Sequence, residues 1–138
     1  MTKEDRSSGA PSKAPKAAVA VFSGEIDIAS KEELRRQLDA LAGVRRLCLD
    51  LSEVQYIDST AIGELIRLHK VRLERGFDSE VVVVGQNQPI HRLLNILHME
   101  TLFPIEQTVP ESYRATNNGV VHREIAFRDG MFANTDKK

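Results

Sequence analysis

The sequence has one cysteine, no tryptophan and no basic block. A single cysteine excludes an internal disulfide framework, and Cys48 lies in an apolar run where a small buried side chain is its ordinary role. With 19 basic and 20 acidic residues, no basic face for DNA or RNA is expected, so we predict no direct nucleic-acid partner. No apolar run approaches the roughly 18 residues of a membrane-spanning helix, and no hydrophobic region follows the charged N-terminus. We therefore expect a cytoplasmic protein that does not itself insert into a membrane.

The residue patterns of catalytic, metal and cofactor sites are also missing. Ser59 lacks the Gly-x-Ser-x-Gly surroundings of a hydrolase nucleophile, and there is no glycine-rich phosphate loop with its lysine. The four histidines do not stand at metal-ligand spacing with Cys48 or with a paired acid. We predict no catalytic residue, no metal and no cofactor, and a protein that is not an enzyme.

The chain has room for one domain with a hydrophobic core, given its 138 residues and 41% hydrophobic content. Residues 1–16 are rich in Ser, Pro, Lys and Ala without apolar periodicity, which predicts a flexible tail. The domain is placed at residues 17–108. Residues 109–138 form a C-terminal extension in which 120–127 is equally compatible with a strand or with disorder.

Strand and helix patterns alternate through the predicted domain. Apolar runs predict strands at 17–22, 44–51, 81–84 and 102–105, with a loop at 23–27, a turn at 52–53 and a short apolar run at 54–57. Helical spacing predicts helices from Lys31 to a stop at Gly43, from the 58–60 junction to about Arg75, and from about Pro89 to Leu97. This order predicts an α/β fold with a mostly parallel sheet of about four strands and three packed helices.

Local signals predict how two of these helices begin and end. Ser30 and Glu33 have the spacing of a capping box, in which each side chain satisfies a free backbone donor of the other residue. Gly43 is predicted to end that helix in a left-handed conformation, and Gly76 to do the same for the next one. Arg72 lies in the last turn of the second helix, where a cation suits the helix dipole.

The junction at Asp58, Ser59 and Thr60 is the most informative part of the chain, because a buried strand ends there and the longest helix begins. Short polar side chains at this position can simply cap the helix by accepting from its free N–H groups. A hydroxyl beside an acid at a helix N-terminus is also a place where a phosphate can be added and sensed. The residue types alone leave both interpretations open.

The run Asp-Ser-Thr-Ala-Ile-Gly at 58–63 follows an apolar strand, with Gly-Glu-Ile-Asp at 24–27 upstream. The strand at 81–84 and the Leu-Leu pair at 93–94 follow downstream. Together these features resemble a STAS domain, and most nearly the bacterial anti-sigma factor antagonists. The resemblance covers roughly residues 17–107, in the order that the family has.

The resemblance implies a phosphorylation switch. It implies that Ser59 is the phosphorylation site, with Asp58 before it and Asp27 in a nearby loop as its acidic neighbours. The implied partners are an anti-sigma factor serine kinase of the GHKL type, which the unphosphorylated form sequesters, and a PP2C-type phosphatase that resets the serine. One departure is Ala61, which stands where the family usually has glycine. The implied partner-binding residues are Asp27, Asp58, Ser59, Thr60, Ala61, Ile62 and Gly63.

Two alternatives remain at this level. The chain can instead be a STAS subunit of a membrane transport complex that docks on an ABC-type ATPase, with the helix after Asp58 as a permanent docking face. In the other, the junction is a helix cap with no switching role.

Overall fold

Five strands form one sheet in the computed structural model, which describes residues 16–76, 81–85, 88–114 and 119–127. The strand order is β4-β3-β2-β1-β5, and every neighbouring pair is parallel. The strands are β1 (Ala17–Ile26), β2 (Arg46–Ile57), β3 (Val81–Val84), β4 (Ile105–Glu106) and β5 (Val120–Ala126). The helices are α1 (Lys31–Leu41), α2 (Ser59–Glu74) and α3 (Gln88–Ile96). The predicted α/β class and three helices are confirmed.

Apolar residues cover both faces of the sheet, as the near-continuous apolar runs predict for central parallel strands. On one face, alternate residues of β1, β2 and β3 pack against the helices, whose inward positions include Leu34, Leu38, Leu65, Leu68 and Leu94. On the other face, Val19, Cys48 and Val84 pack under Tyr113, which lies in a short 3-10 helix between β4 and β5. Cys48 is therefore a buried core residue, as predicted.

The sheet has five strands rather than about four, because the C-terminal extension adds β5 alongside β1. Residues 120–126 pair with residues 17–23 of β1. Just after the strand, the backbone N–H of Phe127 donates to the carbonyl of Ser23 at 2.9 Å, and its ring stacks on Phe22 with centroids 6.1 Å apart. The open choice for 120–127 is thus resolved as a strand that needs its long-range partner β1.

Strands β1 and β2 are longer than predicted, since residues 23–26 of the expected loop at 23–27 and the expected turn at 52–53 are irregular parts of the strands. Only Asp27 of that loop lies outside β1. The β1–β2 register shifts between Val21 and Ser23 and again between Gly24 and Glu25. Two local features explain why the sequence at these positions resembles a loop and a turn. The Asp50 side chain accepts from the N–H of Ser52 at 3.0 Å, and Gly24 has a positive φ of 94°. Bulges of this kind keep a strand paired while bending it.

Helix α1 begins at Lys31 as predicted, but the predicted capping box is wrong. Ser30 makes no side-chain capping bond, because it ends a 3-10 turn (Ile28–Ser30) and points back to the carbonyl of Glu25 at 3.4 Å. Glu33 instead accepts from Gln37 within the helix at 2.8 Å. The left-handed stop at Gly43 is also wrong, since Gly43 is not among the glycines with positive φ in the described residues.

The end of α2 is confirmed at Gly76, whose φ is 85°, and Arg72 lies in the last turn as predicted, where it is buried. Its side chain is 1% exposed and donates to the carbonyls of Ala42 at 3.0 Å, Val44, and Arg45 at 2.7 Å. A guanidinium presents several donors in one plane, so it can serve a cluster of carbonyls. Arg72 thereby fastens the end of α2 to the connection between α1 and β2.

The elements after β3 agree with the predictions to within a few residues. Helix α3 spans Gln88–Ile96 against the predicted 89–97, and β4 lies at Ile105–Glu106 rather than at 102–105. Pro104 supplies its carbonyl to the N–H of Val83 at 2.9 Å, so the edge position needs no donor from the proline. Within the described ranges, no helix is long and apolar enough to cross a bilayer.

Candidate functional site

Two acids lie side by side at the carboxyl edge of the sheet. Ile26 and Ile57 are paired residues at the ends of β1 and β2, and Asp27 and Asp58 follow them directly. The backbone N–H of Asp58 donates to the carbonyl of Ile26 at 3.3 Å, which joins the two strand ends. Because neighbouring strands lie about 4.8 Å apart, the two carboxylates belong to one surface.

Asp58 caps helix α2. Its backbone is extended, with φ −116° and ψ −176°, and its Oδ1 accepts from the N–H of Ala61 at 3.2 Å. Its carbonyl accepts from the N–H of Ile62 at 3.1 Å. This is the geometry of an N-cap residue, which satisfies a donor that the helix itself cannot. The capping interpretation of the junction is therefore correct for Asp58.

Ser59 is the first residue of α2 and its side chain is exposed. Because Asp58 supplies the cap, the Ser59 hydroxyl is not needed to start the helix. Thr60 is half-buried, and Gly63, one turn after Ser59, is exposed. A helix places residues four apart on the same face, so Ser59 and Gly63 share the solvent side of α2.

Ala61 and Ile62 lie on the opposite side of α2, with 1% and 4% of their surface exposed. Ala61 borders a small apolar cavity with Phe22, Leu34 and Leu65. Their buried side chains place these two residues in the core rather than on the surface of the site. A partner that binds this face meets Ser59, Thr60 and Gly63 instead.

Asp27 holds the loop that faces the start of α2. Its Oδ1 accepts from the N–H of Ala29 at 3.0 Å and from the hydroxyl of Ser30 at 3.5 Å, which makes it the cap of the 3-10 turn Ile28–Ser30. Both acids therefore have a structural role that fixes the position of their charge. The loop is held in place by these bonds before any partner binds.

Two exposed apolar side chains border the acids, and the sequence-based site did not include them. Ile28 is 72% exposed directly after Asp27, and Tyr56 is 50% exposed two residues before Asp58. The sequence does carry a signal for Tyr56, since consecutive apolar residues in a strand cannot both face the same core. Ile57 takes the buried position, which leaves Tyr56 outside.

An ion-pair network holds α2 against α1 behind this surface. Glu64, 4% exposed, accepts from both Nε and Nη2 of Arg35 at 3.0 and 2.8 Å and from Arg67 at 3.1 Å. Arg67 also pairs with Asp39 at 2.5 Å. The hydrogen bonds from Arg35, followed by those from Arg67, hold the pKa of Glu64 below its usual value despite its burial. The network ties α2 to α1 one to two turns after Ser59.

The site holds no arrangement that resembles a metal centre. In the ranges that the structure covers, no three His, Cys, Asp or Glu side chains are grouped so that they could hold a metal ion. What the fold builds at this edge is a fixed, acidic surface with an accessible hydroxyl. The arrangement lies on a single small α/β domain.

Comparison with known proteins identifies the family. The model of the STAS domain matches residues 12–112, so this chain belongs to the STAS domain family. An anti-sigma F factor antagonist of Paenibacillus polymyxa is 33% identical over 88 residues, which cover 61% of this chain and 73% of that protein. The family resemblance found in the sequence is confirmed.

Solved structures of similar fold agree with this assignment. An anti-sigma factor antagonist from Mycobacterium paratuberculosis matches with a TM-score of 0.56 and 24% identity, over 66% of this chain and 79% of that chain. The anti-sigma factor antagonist SpoIIAA in its unphosphorylated form matches with a TM-score of 0.53 and 12% identity, over 72% and 86% of the two chains. At these identities the structures establish the fold.

Proposed function

We propose that this chain is a cytoplasmic anti-sigma factor antagonist, a binding protein without catalytic activity that regulates transcription by partner switching. The observation that carries the proposal is that Asp58 caps α2 through its side chain, so that the hydroxyl of Ser59 is left exposed. The name of the Paenibacillus polymyxa relative supports the same role.

The proposed partner is an anti-sigma factor serine kinase of the GHKL type. In its unphosphorylated form the chain binds the kinase through Ser59, Thr60 and Gly63 of α2 and through the edge that holds Asp27 and Asp58. The exposed side chains of Ile28 and Tyr56 add apolar area to this surface. Occupying the kinase releases the sigma factor, and a PP2C-type phosphatase returns phosphorylated Ser59 to the free hydroxyl.

The switch follows from the charge that a phosphate adds. A phosphate on Ser59 carries about −1.5 to −2 charges at pH 7, next to Asp58 and across from the loop of Asp27. When a partner covers this surface, water is excluded and the like charges repel at low dielectric, which costs several kcal/mol. Since each 1.4 kcal/mol is about tenfold in affinity, phosphorylation is expected to release the partner.

The fold itself tolerates the phosphate. Ser59 is exposed, and none of the capping bonds of Asp58 or Asp27 involves its hydroxyl. The N-terminus of α2 also attracts negative charge. The modification therefore changes the surface and leaves the strands and helices in place.

Incubation with a GHKL-type kinase and ATP, followed by mass spectrometry, tests the site. The wild-type chain should gain one phosphate, and Ser59→Ala should gain none. Thr60→Ala is the matched control, because it removes the adjacent, half-buried hydroxyl and should leave the phosphate at Ser59. Undiminished labelling of Ser59→Ala would show that Ser59 is not the phosphorylation site.

Binding to the same kinase tests the switch. Ser59→Asp introduces a carboxylate and should weaken binding at least tenfold. Ser59→Asn introduces a side chain of nearly the same size as aspartate but without its charge, and should bind within threefold of wild type. Equal affinities of these two variants would show that charge at residue 59 does not control the partner. Co-purification with an ABC-type ATPase, with no phosphate on the chain, would support the transport alternative instead.

A further inference from the structure

A cavity of about 270 Å³ lies between helix α3 and the residues that directly follow β3 and β4. It is separate from the junction that holds Ser59. In the register of the sheet, Val84 at the end of β3 pairs with Asp50, and β2 runs on from there to Ile57. At about 3.3 Å per residue, this extra length places the cavity roughly 20 Å from Asp58. A ligand in the cavity therefore does not touch the proposed switch.

The cavity is lined mainly by side chains that can donate hydrogen bonds. In α3, Ile90 and Leu94 take the inward positions and pack in the core. The positions that face the cavity recur at the three- and four-residue spacing of one helical face, and one further side chain faces them from the end of β4. The donor-bearing side chains are those of Gln88, His91, Arg92, Asn95 and Gln107.

No carboxylate of the described residues lines this cavity. Helix α3 has no acidic residue along its whole length, whereas α1 and α2 carry acids such as Glu33 and Glu64. Glu106 precedes Gln107 in the chain, but Ile105 packs toward the helices, and alternation along a strand turns Glu106 to the opposite face of the sheet. The lining therefore favours a ligand that carries negative charge.

Two of these donor groups have no partner among the described residues. The guanidinium of Arg92 forms no ion pair with them, whereas Arg35 and Arg67 both pair with Glu64. The Nδ1 atom of His91 is buried and makes no hydrogen bond within the described part of the chain. Buried polar atoms are nearly always paired in folded proteins. An unpaired one on a residue that lines a cavity indicates that a ligand atom completes the set.

We propose that this cavity binds the phosphate group of a small organic phosphate ester. The planar guanidinium of Arg92 matches two oxygens of a phosphate, and the ring of His91 and the neighbouring amides supply further donors. The volume is near the lower end of small-molecule pockets, which begin at roughly 300 Å³, so it leaves room for an organic group beside the phosphate. Ile96 provides an apolar wall for that group.

Titration of the full chain with glycerol 3-phosphate, followed by NMR at constant ionic strength, tests the inference. The ring nitrogens of His91 should shift in a saturable way, while those of the exposed His98 and His122 stay in place. Inorganic phosphate should bind at least threefold more weakly than the ester, because it leaves part of the cavity unfilled. Glycerol alone should not bind.

Two matched variants separate the cavity from general attraction between charges. Arg92→Gln removes an exposed charge from the cavity wall and should weaken binding of the ester at least tenfold. Arg123→Gln removes an equally exposed charge from β5 and should leave the affinity within twofold of wild type. Equal losses in the two variants would overturn the inference. The absence of any saturable shift of His91 at millimolar ester, or equal binding of the ester and inorganic phosphate, would overturn it as well.

Discussion

Replacing Asp58 separates two roles at the start of α2: helix capping, which Asp58 performs, and the proposed switching, which belongs to Ser59. The carboxylate makes one capping bond of 3.2 Å to the N–H of Ala61 and places a negative charge at the helix N-terminus. Loss of a capping side chain costs typically about 1 kcal/mol, and loss of the charge about 0.3–1 kcal/mol. Asp58→Ala should therefore lower the free energy of unfolding by about 1–2 kcal/mol.

Two matched variants divide this effect into its parts. Asp58→Asn keeps an oxygen that can accept from Ala61 and loses only the charge, so it should cost about 0.3–1 kcal/mol. Ser59→Ala removes an exposed hydroxyl that makes no capping bond, so it should change the stability by less than about 0.5 kcal/mol. Both changes leave the backbone bonds of Asp58 to Ile26 and Ile62 in place.

Urea denaturation of the three variants at pH 7, followed by circular dichroism, measures these differences. The expected order of destabilisation is Asp58→Ala, then Asp58→Asn, then Ser59→Ala. A loss in Ser59→Ala as large as that in Asp58→Ala would refute the reasoning. It would show that the serine is tied into the helix start, which an outward-facing switch residue is not.

Three further changes test the scaffold. Glu64→Gln should cost about 1–2 kcal/mol at pH 7. Because the folded pKa of Glu64 is lowered, its contribution is present above the unfolded pKa and is lost as acid protonates the folded carboxylate. The stabilities of wild type and variant should therefore converge in urea titrations as the pH falls below the ordinary pKa of 4.5, and a constant difference would contradict this. Arg72→Met should cost about 2–4 kcal/mol in the same assay, because three carbonyls lose their donor; a neutral effect would show that water replaces it. Ala61→Gly should lower stability by about 1 kcal/mol while the affinity for the kinase stays unchanged, since the methyl group is buried; a loss of affinity larger than the loss of stability would place Ala61 in the contact surface.

The sequence predicts most of the fold because its signals are local. The apolar runs of β2 and β3 and the spacing of α2 and α3 need no knowledge of distant residues. The junction at Asp58 and the stop at Gly76 are set by backbone chemistry within a few positions. Strand β5 depends instead on pairing with β1, about a hundred residues earlier in the chain, so its local pattern is ambiguous.

The errors arise where two local signals compete. Ser30 and Glu33 have capping-box spacing, but Asp27 caps a 3-10 turn first and turns the Ser30 side chain away from the helix. The pattern at Ser52 looks like a turn, yet parallel pairing with β1 continues through it as a bulge. In each case, the packing of the folded chain selects one of two local conformations that the sequence alone allows.

In the candidate site, too, local signals predict some features, whereas others depend on how the chain packs. The residue types at 58–63 predict an acid, a hydroxyl and a helix start, and all three are present in the structure. Which side chain caps and which faces outward follows only from the bond between Asp58 and Ala61. The burial of Ala61 and Ile62, the exposure of Ile28, and the open space at Gly63 likewise depend on how α2 packs.

The most direct test of the account compares one protein sample in two states of Ser59. The chain is phosphorylated by a GHKL-type kinase, one half is treated with a PP2C-type phosphatase, and both halves are titrated against the kinase by calorimetry. The phosphorylated half should bind at least tenfold more weakly, and the treated half should recover the affinity of the unmodified chain. Equal affinities of the two halves would contradict the claim that a phosphate on Ser59 releases the partner.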